Sequence, residues 1–241
     1  MEINWESQVL SSVSKVIPKL SCLEIDIDKL HEVAAELSED SFSINYEGNT
    51  NTVPKEYIRK TMLINTLNFV FTDFLTSVKY KIENYSDTDA MVYQIDKALD
   101  QGIPLTQGRF MRDMNLKEFK TLFTGNIVMP MADEKVKILN NVGDILVTKY
   151  GGDWINFIDD GPKKLYDNGK GLVERLVRDF KRFDDHSIFE NEKVYFLKLA
   201  QLAFWGIHRE LSKRYFYIED MENMTAFADY IIPVALESFG I

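Results

Sequence analysis

The chain has 241 residues, a formal net charge of -10, and 45% hydrophobic, 27% charged and 12% aromatic residues. That composition excludes disordered, fibrous and disulfide-stapled classes, and the acidic balance (pI near 4.9) argues against a protein that grips long nucleic acids, which needs clustered Lys and Arg. A single cysteine, Cys22, rules out an intrachain disulfide and points to a reducing compartment.

No uncharged run is long enough to span a bilayer, and Met1-Glu2-Ile3-Asn4-Trp5-Glu6 lacks a basic n-region and an apolar h-region. A cytoplasmic protein is expected. With no internal repeat, low-complexity tract or Pro/Gly/Ser linker, residues 1–241 read as one domain.

Helical periodicity dominates along the chain. Asp26 to Ser38 carries Leu30, Val33, Ala34 and Leu37 on one face, and Phe42-Ser43-Ile44-Asn45-Tyr46 alternates like a short extended piece or hairpin arm. Pro54 opens a long apolar segment through Tyr80. Asn115-Leu116-Lys117-Glu118 has the capping-box spacing ahead of Phe119 and Leu122. From Asp133 to Tyr150 the apolar residues Val136, Leu139, Val142, Leu146 and Val147 recur at three- and four-residue steps, and Gly151-Gly152 supplies the stop. Asp160-Gly161-Pro162 reads as a turn, and Phe183-Asp184-Asp185 as the cap of a following helix. Helices over Glu192 to Leu211 and Met224 to Phe239 complete an all-α fold with at most a short β-hairpin.

The usual catalytic signatures are absent. There is no phosphate loop, no dinucleotide glycine fingerprint, no Gly-x-Ser-x-Gly elbow, and His31, His186 and His208 show no ligand spacing, so neither a metal nor a cofactor is expected. His31 reads as a surface residue. Two features stand out. Lys198 sits among Tyr195, Phe196, Leu197, Leu199 and Ala200, where an ammonium either snorkels outward or meets an anion. Phe227-Ala228-Asp229-Tyr230 places an acid between aromatics inside an apolar segment, which forces the carboxylate to find a partner or shift its pKa. A capping acid beside core aromatics explains Asp229 equally well from local pattern alone.

Several segments together resemble the queuosine salvage protein family. Leu67-Asn68-Phe69-Val70-Phe71 is similar to its Leu-Asn-Phe-x-Phe-Trp stretch, and Ala98-Leu99-Asp100-Gln101-Gly102-Ile103-Pro104 to its Ala-Leu-Asp-x-Gly-Ile-Pro segment. Met129-Pro130 with Glu134, Ile138-Leu139-Asn140 and Gly143, then Lys149-Tyr150-Gly151-Gly152, resembles its central helix and exit. Lys198, Ala200 and Gln201 look like its Tyr-Lys-Arg-Ala-Gln helix, and Phe227-Ala228-Asp229-Tyr230 with Pro233 like its Phe-Ala-Asp-Tyr-Arg-x-Pro-Gln motif. The motif's arginine and glutamine are Ile231 and Val234 here, the tryptophan is Thr72, and Phe42 to Gly48 holds no counterpart of a base-contacting histidine.

The resemblance implies an all-helical fold like that of DNA glycosylases and an N-glycosidic hydrolase that releases queuine from queuosine 5'-phosphate. It implies Asp229 as the catalytic carboxylate, Phe227, Asp229, Tyr230 and Lys198 as substrate-binding residues, and a modified nucleotide or nucleobase as partner, with no stable nucleic-acid or membrane partner. Family members continue past the point that matches Ile241 into a segment whose Asp-Tyr motif and further Asp complete the active site. A non-catalytic queuine- or nucleotide-binding protein on the same scaffold is the alternative.

Overall fold

A computed structural model describes residues 7–21, 23–37, 51 and 53–241. The fold is mainly helical, as the periodicity predicts. In chain order it runs α1 (Gln8–Val13), α2 (Ile27–Glu36), α3 (Pro54–Leu67), a hairpin β1 (Lys81–Ile82) and β2 (Tyr85–Ser86), α4 (Asp87–Asp100), α5 (Gly108–Asp113) and α6 (Leu116–Leu122). Then follow α7 (Ala132–Lys149), α8 (Trp154–Asp159), α9 (Leu172–Asp179), a second hairpin β3 (His186–Phe189) and β4 (Glu192–Tyr195), α10 (Lys198–Leu211) and α11 (Ile231–Ser238). Both hairpins are two-stranded and antiparallel.

Local signals explain most helix ends. Pro54 occupies the first turn of α3, where its missing N–H costs nothing. Asn115 and Glu118 close a reciprocal capping box on α6, each side chain accepting the other residue's backbone N–H at 3.0 Å. At the far end of α7, Gly151 and Gly152 take φ +59° and +86°, a left-handed exit that a Cβ would strain. The core extends from Val9 to Ile218, with Trp154, Phe157, Phe180 and Phe183 packed as a T-shaped and tilted aromatic group.

α5 and α7 pack backbone against backbone. A Cβ on Gly143 would lie 2.3 Å from the Arg112 backbone nitrogen and 2.5 Å from the Gly108 carbonyl oxygen, so only glycine admits this approach. Asn140 of α7 stitches the same seam, its side-chain amide donating to the carbonyls of Met111 and Met114.

Four sequence expectations need correction. The apolar segment from Pro54 leaves the helix after Leu67, and Asn68 to Tyr80 forms a loop closed by a Thr72–Lys79 bridge. The helix expected from Glu192 starts only at Lys198, because Glu192–Tyr195 pairs with β3 across a two-residue turn, Glu190-Asn191, with both φ values positive. Phe183-Asp184-Asp185 therefore leads into a strand instead of capping a helix. The last helix spans Ile231–Ser238, not Met224 to Phe239. Pro233 gives the reason: its ring would clash with the carbonyl of residue 229 if the helix continued backward. The extended piece or hairpin arm expected over Phe42 to Tyr46 lies outside the described residues, while the sequence pattern does not point to the two hairpins found among the described residues. α2 forms where expected, with His31 exposed, but only Val33 of its apolar stripe is buried.

Candidate functional site

Lys198 opens α10. The preceding residue, Leu197, is fully buried with φ +51°, an uncommon conformation for a branched side chain, and this reversal turns the chain from β4 into the helix. An ammonium at a helix N-terminus opposes the positive end of the macrodipole. It is compensated directly: Lys198 Nζ donates to Asp229 Oδ2 at 2.7 Å, across thirty-one positions of sequence.

The other oxygen of Asp229 accepts the backbone N–H of Ile231 at 2.9 Å, at the start of α11. The Lys198 hydrogen bond, followed by the Ile231 N–H, holds the Asp229 carboxyl below the usual carboxylate range. The two side chains are 29% and 26% exposed, so this is a rim pair open to solvent, worth little to stability and accessible to a ligand.

The segment that carries Phe227 is non-helical, with a tight turn in which the Ala228 N–H donates to the Ala226 carbonyl at 2.9 Å, and it is pinned from α10. Fully buried Gln201 accepts the Thr225 backbone N–H at 2.8 Å and meets its hydroxyl at 2.9 Å. Phe227 then sets its ring against Trp205, centroids 5.8 Å apart and planes at 71°, while the Arg209 guanidinium lies 4.3 Å from the Trp205 ring centre. Lys198, Gln201 and Trp205 follow one another at steps of three and four, so one face of α10 contacts Thr225, Phe227 and Asp229.

Three of the sequence-predicted residues, Lys198, Phe227 and Asp229, are thus brought to one face of α10. Tyr230 is not: it is 79% exposed and turned away at the entry to α11. Gln201 and Trp205 hold the segment, and sequence reasoning assigned neither a role; their signal was the helical spacing from Lys198.

The Leu67–Phe71 stretch forms a second polar cluster. Fully buried Lys135 donates to the carbonyls of Phe69 and Val70, and Arg182 donates to the carbonyl of Thr66 at 2.7 Å, so two cations satisfy the carbonyls at the end of α3. The Phe69 ring lies 3.6 Å from the Lys135 ammonium and 4.6 Å from the Arg182 guanidinium. Burial, with Arg182 adding repulsion, pushes Lys135 down to about 7, and burial takes Arg182 to about 10. This cluster braces the chain as it leaves α3, at Val70 with φ +44°.

Among the described residues no group of three or more His, Cys, Asp or Glu is arranged to hold a metal ion, and no helix is long and apolar enough to cross a membrane.

A family model described as queuosine salvage protein matches residues 45–241. A Mus musculus protein named queuosine 5'-phosphate N-glycosylase/hydrolase is 29% identical over 187 residues, covering 74% of this chain and 54% of its own. Proteins of the same name from Bos taurus and Sphaerobacter thermophilus are 26% and 24% identical, covering 85% and 97% of this chain and 61% and 72% of theirs. The chain therefore spans between half and two thirds of the length of its mammalian relatives.

Proposed function

The chain belongs to the queuosine salvage protein family, and from that premise we propose that it hydrolyses the N-glycosidic bond of queuosine 5'-phosphate and releases queuine. The observation that carries this reading is the Lys198–Asp229 pair beside Phe227, on the two segments that match the family's helix and Phe-Ala-Asp-Tyr motif.

Departure of a base from ribose passes through an oxocarbenium-like state, which an ionised carboxylate stabilises. Asp229, held ionised by Lys198, is unsuited to donate a proton and suited to accept N–H groups from the base edge or to face developing positive charge. A 7-deazaguanine has carbon at its seven-position and cannot take up the proton that helps a purine leave. Hydrogen bonds to its remaining heteroatoms must share that task. Phe227, braced by Trp205, offers a ring for the base to pack on. Lys198 uses one of its three donors on Asp229, which leaves the others for a phosphate or an ordered water.

The partner is a small modified nucleotide, and the net charge of -10 supports the absence of a stable nucleic-acid partner. The lone cysteine supports a cytoplasmic setting, and the continuous core supports reading 1–241 as one domain.

One observation favours the non-catalytic alternative. Both oxygens of Asp229 are engaged, one by Lys198 and one by Ile231, the arrangement of an acid that positions and caps. Incubation with queuosine 5'-phosphate and chromatographic detection of free queuine decides between them: product from the wild type and none from Asp229→Ala is expected. Thermal stabilisation by queuine with no product at high enzyme concentration would instead establish a binding protein.

A further inference from the structure

The loop from Asn68 to Tyr80 carries an apolar tip. Leu75 is 95% exposed, more than any other large hydrophobic residue among the described residues, and Phe74 beside it is 79% exposed. Val78 of the same loop is exposed as well. Single apolar residues on a surface need no explanation, whereas adjacent ones at the head of a loop mark a contact site.

The tip is preordered. Asp73 Oδ1 accepts the N–H groups of Leu75 and Thr76 at 3.0 and 2.8 Å and the Thr76 hydroxyl at 2.9 Å, and the Asp73 carbonyl accepts the Ser77 N–H at 2.8 Å. At the base of the loop, Asn126 accepts the Lys81 N–H at 2.7 Å and donates to the Lys79 carbonyl at 3.1 Å, while buried Tyr80 donates its hydroxyl to the Phe123 carbonyl at 3.0 Å. These bonds fix the loop to the C-terminal end of α6 and the turn after it, so docking Phe74 and Leu75 costs little further ordering.

α6 also borders an apolar groove. This groove, of about 520 Å³, lies between Ile103, Phe110 and Leu122, three half-buried residues packed on the core, with exposed Lys117 and Thr121 on its α6 side. α6 has seven residues and is therefore about 10 Å long, so the tip and the groove are neighbours held by one short helix.

We infer that Phe74 and Leu75 dock into this groove on a second copy of the chain, and that two copies do so reciprocally about a two-fold axis. Each copy brings both the tip and the groove, so the pairing closes on itself as a dimer. Charge favours this occupant over a membrane surface. Lys117 on the groove rim is a cation for Asp73 beside the tip, whose carboxyl the Thr76 N–H and hydroxyl hold below the usual range, whereas a net charge of -10 is repelled by anionic headgroups. Two tips of roughly 300 Å² each, with an equal area of groove to receive them, bury about 1,200 Å² in all, the lower end of the range for specific interfaces. The dimer is accordingly a weak one.

Sedimentation velocity of the full chain, over roughly 1 to 200 µM, tests the pairing. The mass should rise with concentration from 28.0 kDa toward twice that value and no further. Two variants change only exposed positions and are checked for folding by circular dichroism: Phe74→Ser/Leu75→Ser removes the tip, and Thr121→Arg places a charge at the groove. Each should weaken association about tenfold or more. An equimolar mixture of the two restores one of the two contacts, so it should associate more tightly than either variant alone and less tightly than the wild type. A wild type that stays monomeric at every concentration would overturn the inference, as would full association of the tip variant. Full association of Thr121→Arg would show that tips meet tips and that the groove takes no part, and masses that grow past the dimer would refute the two-fold closure.

Discussion

Replacing Lys135 by Met should abolish a specific pH dependence of stability. In the folded protein Lys135 titrates near 7, against 10.5 for a free lysine, because burial penalises the ammonium and Arg182 repels it. Above pH 7 the folded state releases this proton while the unfolded chain keeps it up to about pH 10.5. The unfolded state then binds more protons, and stability rises with pH across that window. Below pH 7 both states are charged, the full cost of the buried cation is present, and the slope from this group vanishes. One proton of difference gives about 1.4 kcal/mol per pH unit, so from pH 7 to 9 the wild type should gain roughly 2 kcal/mol from this residue alone. Measurement should stop at pH 9, because Arg182 at about 10 begins to contribute above it. The methionine variant keeps the packed stem but leaves the Phe69 and Val70 carbonyls without their donor, a pH-independent loss of about 1–3 kcal/mol. Urea unfolding of both proteins at pH 7, 8 and 9 gives the answer: the unfolding free energy of the wild type minus that of the variant should rise by roughly 2 kcal/mol across that range, whichever protein is the more stable at pH 7. A constant difference would refute the account of Lys135 as a buried cation that sheds its proton.

Other consequences bear on the site and the frame. In a chain that hydrolyses the nucleotide, Lys198→Ala removes the main influence that lowers Asp229, so the acidic limb of the pH profile of kcat/KM should move to higher pH; an unmoved limb would mean that Asp229 does not set it. The same variant should change the unfolding free energy by less than about 1 kcal/mol, since the pair is exposed. Gly143→Ala should lower stability by about 1–3 kcal/mol or more, because its Cβ meets backbone on α5 and not a side chain that can move; a Tm within a degree of wild type would contradict the tight α5–α7 seam. Gln201→Ala should free the Thr225–Phe227 segment and raise KM far more than it lowers kcat, with no change in the pH profile.

Readability from sequence followed the range of the interaction. The capping box of α6 and the glycine exit of α7 are decided within four residues, and both formed where the pattern put them. β4 misled because Val194, Tyr195 and Phe196 are an apolar run that suits a strand or a helix, and the choice was made elsewhere: by the left-handed turn at Glu190-Asn191 and by Ser12 of α1, whose hydroxyl accepts the Tyr195 N–H. Pro233 carries a local signal, since its ring fixes where α11 can begin and so leaves Phe227 to Asp229 outside the helix. That break in the helix decides the geometry of the candidate site. On a continuous helix, Phe227 and Asp229 would point some 200° apart, and no single face of α10 could meet both. In the non-helical segment exposure alternates from Thr225 to Tyr230, so Phe227 reaches Trp205 while Asp229 reaches Lys198, and Tyr230, one step further, is turned out to solvent. The same alternation that unites the acid and the phenylalanine therefore removes the tyrosine from the group that the sequence motif presents as contiguous.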